Sequence, residues 1–159
     1  MNAEPRILRT QAEETLALEF AAARTQLPGS PAIAAAREAA FAAFQKLGLP
    51  HRRTEPWRYT DLRALLRTVP PLAIGASGED VVIADLLPGL DRARLVVVDG
   101  IFRPELSDLS GLDGVSVRPL VDLLRDGDNR VGQQIASIND AVVSLNSALM
   151  VGGVAIEVP

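Results

Sequence analysis

The only histidine, the only tryptophan and the only tyrosine of this 159-residue chain lie close together, in His51-Arg52-Arg53-Thr54-Glu55-Pro56-Trp57-Arg58-Tyr59-Thr60-Asp61-Leu62-Arg63, with Arg67 close behind. Five of the fifteen arginines fall in the same stretch. Two kinds of chemistry fit these residue types. Arginine interleaved with aromatic rings stacks bases and holds phosphates, or recognises the carboxylates of a partner. The other reading is structural: Trp57 and Tyr59 anchor the loop to neighbouring helices, while Arg58 and Arg63 pair with Glu55 or Asp61. The second is favoured, because a tryptophan is usually core or interface and surface charge runs are usually solvated. Arg53, Glu55, Trp57, Arg58, Tyr59 and Asp61 are therefore candidates for a structural or interaction role. The alternative is a small anion- or nucleic-acid-binding module built on Arg52, Arg53, Arg58, Arg63 and Arg67.

Nothing else in the chain assembles a reactive constellation. His51 follows Leu49-Pro50 in a loop, and no nucleophile-elbow pattern offers it a serine to activate. Asp122 and Asp126 stand four residues apart on one helix face, without a histidine or a third acid to complete a metal set, and read as a solvated face. Neither a P-loop nor a dinucleotide-binding glycine pattern occurs. The chain has no cysteine, which removes thiolate catalysis, disulfides and thiolate ligation of zinc or iron by these residues. No catalytic, cofactor-binding or metal residue is assigned, and the expectation is a protein that is not an enzyme.

The composition sets the frame in which such a loop must be held. With 48% hydrophobic and 23% charged residues, a chain of this size buries roughly 70% of its unfolded surface and needs no covalent staple. The net charge of -4 disfavours a general polyanion binder. No apolar run approaches the length of a membrane span, and no signal-peptide core develops behind Ile7-Leu8. A cytoplasmic protein that engages neither membrane nor nucleic acid is expected.

Fourteen of the 23 alanines lie in the first 50 residues, and the valine-rich runs begin at Val81. Alanine favours helix and valine favours strand, so the chain reads as α+β, helical first and mixed afterwards. Thr10 and Glu13 have capping-box spacing, and Leu8, Ala12, Leu16, Phe20, Ala23 and Leu27 form a helical stripe ended by Pro28-Gly29. Ser30-Pro31 starts a second helix with the stripe Ile33, Ala36, Ala40, Phe44, Leu47, closed by Gly48. A short connection predicts antiparallel packing of the two. Thr60-Asp61 caps a short helix with Leu62, Leu65 and Leu66, ended by Pro70-Pro71, and Gly75 to Gly78 reads as a turn.

Val81-Val82-Ile83 and Leu95-Val96-Val97-Val98 read as strands buried on both faces, with Asp99-Gly100 turning the second into Ile101-Phe102 as a hairpin. A further strand is expected over 115–117. Pro119 opens a helix containing Leu120, Leu123 and Leu124 that closes at Gly127. Another helix runs from about Asn139 to Leu149, with Ala141, Leu145, Ala148 and Leu149 on its apolar side. Val154-Ala155-Ile156-Glu157-Val158 alternates like a half-buried strand for which nothing follows as a partner, and such an ending suits either a strand docked at a sheet edge or a fragment. Two units result, a helical region over 1–72 and an α+β region over 73–159.

Arg53-Thr54-Glu55-Pro56-Trp57-Arg58-Tyr59-Thr60-Asp61-Leu62 resembles the R-x-E-x-W-[RK]-Y-T-[DN]-[LF] segment of the SufD family of iron–sulfur cluster assembly proteins. Leu95 to Leu109 is similar to that family's strand–turn–strand and serine–leucine loop. Leu145-Asn146-Ser147-Ala148 leading into 154–159 is similar to the entry into its central fold. The resemblance implies the N-terminal part of a longer protein, in which 73–159 leads into the first rungs of a right-handed parallel β-helix. It also implies a non-catalytic scaffold subunit of a SufBCD complex, meeting SufB-like and SufC-like proteins through regions beyond these residues. The iron–sulfur cluster would be handled by the whole complex, with no cofactor held here. Trp57 and Tyr59 are expected to join the helical layer to the strands.

Overall fold

A computed structural model describes residues 9–73, 81–84, 88–128, 130–131 and 139–159. The glycine turn expected between Gly75 and Gly78 lies outside them. Helix α1 (Gln11–Ala23) starts as its capping box requires. The Glu13 amide donates to Thr10 Oγ1 at 3.2 Å, and the Thr10 amide donates back to Glu13 Oε2 at 2.6 Å. Helix α2 (Pro31–Leu47) is capped by the Ser30 hydroxyl, has proline in its first turn and ends at Gly48. The two run antiparallel: Glu13 meets Leu49, the Phe20 and Phe41 rings stack 4.1 Å apart, and Arg24 bonds Glu38.

The buried face of α2 is Ile33, Arg37, Ala40, Phe41 and Phe44, rotated from the expected stripe so that Ala36 is half-buried and Leu47 is exposed. Two contacts cause the rotation. The Arg37 guanidinium is drawn inward to backbone carbonyls, and Leu49, just past the Gly48 turn, takes the core place that Leu47 was expected to fill.

Short helix α3 (Leu62–Leu65) is capped by Asp61, with Leu66 and Val69 packed against the core while Leu65 is exposed. Helix α4 (Leu120–Asp126) ends in a left-handed Gly127. Its Leu124 side chain is fully buried, and the Leu124 carbonyl accepts from the Ser30 amide at 3.0 Å, so the end of α4 sits at the start of α2. Helix α5 (Ala141–Leu149) packs along α2. Its small buried residues Ala141, Ser144, Ser147 and Ala148 allow close approach, and Ala141 and Ala148 join Leu16, Phe20, Phe41 and Phe44 in one core. Residues from both sides of position 72 thus share that core.

Strands β1 (Val97–Val98) and β2 (Ile101–Phe102) pair antiparallel around Asp99-Gly100. Both turn residues have positive φ, 49° and 81°, the tight-turn geometry that an Asp-Gly pair favours. Strands β3 (Ser116–Pro119) and β4 (Val154–Glu157) form a second antiparallel pair.

Three expectations for this half are corrected. Val81-Val82-Ile83 forms no strand, and Val82 is 91% exposed: among the described residues this short β-branched run has no ladder partner to fix it. β1 is not buried on both faces, since Val97 is exposed and only Phe102 of the hairpin reaches the interior. β4 has a partner, β3, and its burial runs in pairs, with Val154 and Ala155 half-buried and Ile156 and Glu157 exposed. Both sheets are antiparallel, and no parallel β-helix rung forms among the described residues.

Candidate functional site

The loop that carries the aromatic–arginine cluster is a chain of tight turns. Amides of Thr54, Trp57 and Thr60 donate to the carbonyls of His51, Thr54 and Trp57, each at 2.8 Å. Pro56 suits the one-turn 3-10 helix at Glu55–Trp57 because it sits at the start of the turn, where no amide is needed. His51 Nδ1 accepts from the Arg53 amide at 3.1 Å, which commits the ring to holding the turn. Asp61 Oδ1 caps α3 through the Ala64 amide at 3.0 Å, and Asp61 Oδ2 lies 3.8 Å from the Arg52 guanidinium.

A long-range side-chain bond ties this loop to the start of the last helix. Trp57 Nε1 donates to Asp140 Oδ2 at 3.1 Å, while Asp140 Oδ1 accepts from the amides of Val142 and Val143 at the start of α5. The Val143 bond is the main reason that the Asp140 carboxyl titrates below the ordinary carboxylate range; partial burial works against this, and the Trp57 and Val142 bonds support it. Trp57 therefore anchors the loop to a helix start, not to a strand.

Tyr59 does not share that role. Its ring is 88% exposed and carries the Arg58 guanidinium 4.7 Å from its centroid. Arg58 also lies 3.5 Å from Glu55. Arg53 is exposed and forms no ion pair among the described residues. Asp126, read as solvated, pairs with Arg118 at 3.0 Å, while Asp122 is half-buried. Among the described residues no group of three or more His, Asp or Glu is placed to hold a metal ion, and no helix is long and apolar enough to cross a membrane.

Two buried charges escaped the sequence reading. Glu13 is 7% exposed; beyond the capping box, its Oε1 accepts from the Leu49 amide at 2.7 Å. Burial pushes its carboxyl upward, but bonds from Thr10 and Leu49 together with the nearby Arg63 charge hold it below its ordinary value. The capping box was a signal for Glu13; no local signal marked its second oxygen. Arg37 is 2% exposed, and its Nη atoms donate to the carbonyls of Ala148 at 3.1 Å, Ser147 at 3.4 Å and Pro28 at 2.8 Å. Burial lowers its pKa, yet the carbonyl end of α5 favours a cation there. An arginine within an alanine-rich helix gives no sequence hint of this.

With the loop and its anchor in place, comparison with known proteins adds the lineage. The family model described as the SufBD protein N-terminal region matches residues 11–159. An iron–sulfur cluster assembly SufBD family protein of Synechocystis sp. is 31% identical over 130 residues, covering 77% of this chain and 28% of the relative. The chain thus matches little more than a quarter of that relative's length. No solved structure matches it. By the extent of the first match, which takes in the aromatic–arginine loop, α5 and the β3–β4 pair, the chain belongs to the SufBD family through that family's N-terminal region.

Proposed function

We propose that this chain is the N-terminal region of a SufD-like, non-catalytic scaffold subunit acting in iron–sulfur cluster assembly. The observation that carries the reading is the family match across 11–159, with the assembly role named for the Synechocystis relative in support. The SufD branch in particular rests on Arg53-Thr54-Glu55-Pro56-Trp57-Arg58-Tyr59-Thr60-Asp61-Leu62. In this reading the cluster is cargo, handled by residues outside this region, and residues 73–159 lead into the first rungs of a right-handed parallel β-helix. SufB-like and SufC-like proteins are the partners, in the cytoplasm.

The role proposed for this region is structural. A solenoid's first coil exposes apolar surface and unpaired backbone, which a helical layer can cover. In this proposal the α1–α2–α5 layer, tied to the loop by Trp57 and Asp140, is that cover. Affinity purification of the full-length gene product should recover a SufB-like protein and a SufC-like ATPase in stoichiometric amounts. Recovery with neither, under conditions where all three are expressed, would overturn the proposal.

A further inference from the structure

The loop's charge is out of step with the molecule around it. Over 51–67 five arginines face two carboxylates, a local charge of +3, whereas the whole chain carries -4 and the remainder therefore -7. Beside this basic loop runs a groove of about 290 Å³ whose walls include Leu47, Pro50, Pro56 and Trp57, and also Asp140, whose carboxylate is already engaged by Trp57 Nε1 and the amides of Val142 and Val143. Leu47 is 46% exposed. An exposed tyrosine under an arginine, a half-buried tryptophan and an apolar groove whose lining residues Thr54 and Trp57 adjoin Arg53 and Arg58 in the chain are features that concentrate binding energy at protein interfaces.

We infer that this surface docks an acidic segment of another protein, which places one apolar side chain in the Leu47–Trp57 groove and its carboxylates against Arg53 and Arg58. A groove of this size holds a single large side chain. The charge contrast selects an acidic ligand, since opposite potentials steer encounter and fix orientation. A nucleic acid fits less well, because one face of Tyr59, the ring on which a base would stack, is already covered by Arg58. The inference stands apart from the scaffold proposal, because it uses only residues within this chain.

The test uses the full chain, with Trp57, the only tryptophan, as the reporter. A glutamate-rich peptide with one central leucine is titrated in, beside the same peptide lacking the leucine and a single-stranded oligonucleotide of equal charge. The leucine peptide should bind saturably, and rising salt should weaken it. R53E/R58E should weaken it by about tenfold or more, and Tyr59→Ala by about fivefold. Leu47→Ser should weaken the leucine peptide alone and leave the all-glutamate peptide unchanged. All four positions are exposed, and unchanged melting temperatures verify that the variants are folded. Absence of saturable binding, equal affinity in R53E/R58E, or tighter binding of the oligonucleotide would each overturn the inference.

Discussion

Trp57 and Asp140, 83 residues apart in sequence, are joined by a hydrogen bond of 3.1 Å from the indole Nε1 to Oδ2, while Oδ1 of the same carboxylate caps α5. One side chain thus starts a core helix and secures the basic loop. Asp140→Ala should cost about 2–3 kcal/mol, the sum of a lost cap and a charge-assisted bond. Asp140→Asn, which keeps one carbonyl oxygen, should cost about 1–2 kcal/mol. In a double-mutant cycle with Trp57→Phe, urea unfolding should reveal coupling of about 1 kcal/mol. Strict additivity would show the bond to be energetically silent.

Trp57 and Tyr59 should separate cleanly in stability measurements. Tyr59→Ala should lie within about 0.5 kcal/mol of the parent, as expected for a surface position, because the ring is almost wholly exposed. Trp57→Ala removes a half-buried ring along with its bond and should cost about 2–3 kcal/mol. Equal losses at the two positions would contradict the geometry.

The guanidinium of Arg37 stitches α2, the end of α5 and the Pro28 loop together. Arg37→Met keeps apolar volume but leaves buried carbonyls without donors, and should cost about 3 kcal/mol or more. Arg37→Lys should recover little of this, since one ammonium lacks the planar fork that reaches separate acceptors. Thermal unfolding of both variants gives the comparison; a lysine variant as stable as the parent would argue for charge alone.

Gly48 combines φ +71° and ψ 176° with a position where an added Cβ would lie 2.8 Å from Glu13 Oε1. Gly48→Ala should therefore cost about 1–3 kcal/mol in backbone strain, with a further loss from displacing the carboxylate that holds the Leu49 amide. Glu13→Ala beside it distinguishes the two effects. Once that carboxylate is gone, Gly48→Ala should cost less.

Acid should destabilise the fold through Glu13 and Asp140. Both carboxyls titrate lower in the folded protein than in the unfolded chain. The unfolded state then binds protons first, so their contribution is complete above the unfolded values, near about 4 to 4.5, and is lost as pH falls through the folded ones. A melting-temperature profile should be flat from neutral pH to about 5 and drop below it. Glu13→Gln should make the drop shallower, and an unchanged acid limb would contradict the assignment.

The helices were legible because their signals are local. Thr10 with Glu13, Ser30 with Pro31, Asp61, and Gly127 each satisfy or release backbone groups within a few residues, and each cap lies where its sequence pattern put it. Asp99-Gly100 was legible for the same reason. The family could be read from the Arg53 to Leu62 segment, whose residue types stand in fixed order. The aromatic–arginine loop was legible as a cluster, but not the division of labour within it.

That division is a long-range matter. Whether Trp57 or Tyr59 finds a partner depends on where Asp140 comes to rest, and Asp140 arrives with α5 against α2. The same holds for Arg37, whose acceptors lie at the far end of α5, and for Val81-Val82-Ile83, where a strand-like composition found no ladder. Residue spacing dictates caps, turns and amphipathic periods, since these are contacts across a few peptide units. Which buried charge is satisfied, which ring is sheltered and which edge is paired were decided only by tertiary packing, because each needs hydrogen-bonding groups that the chain brings together from distant positions.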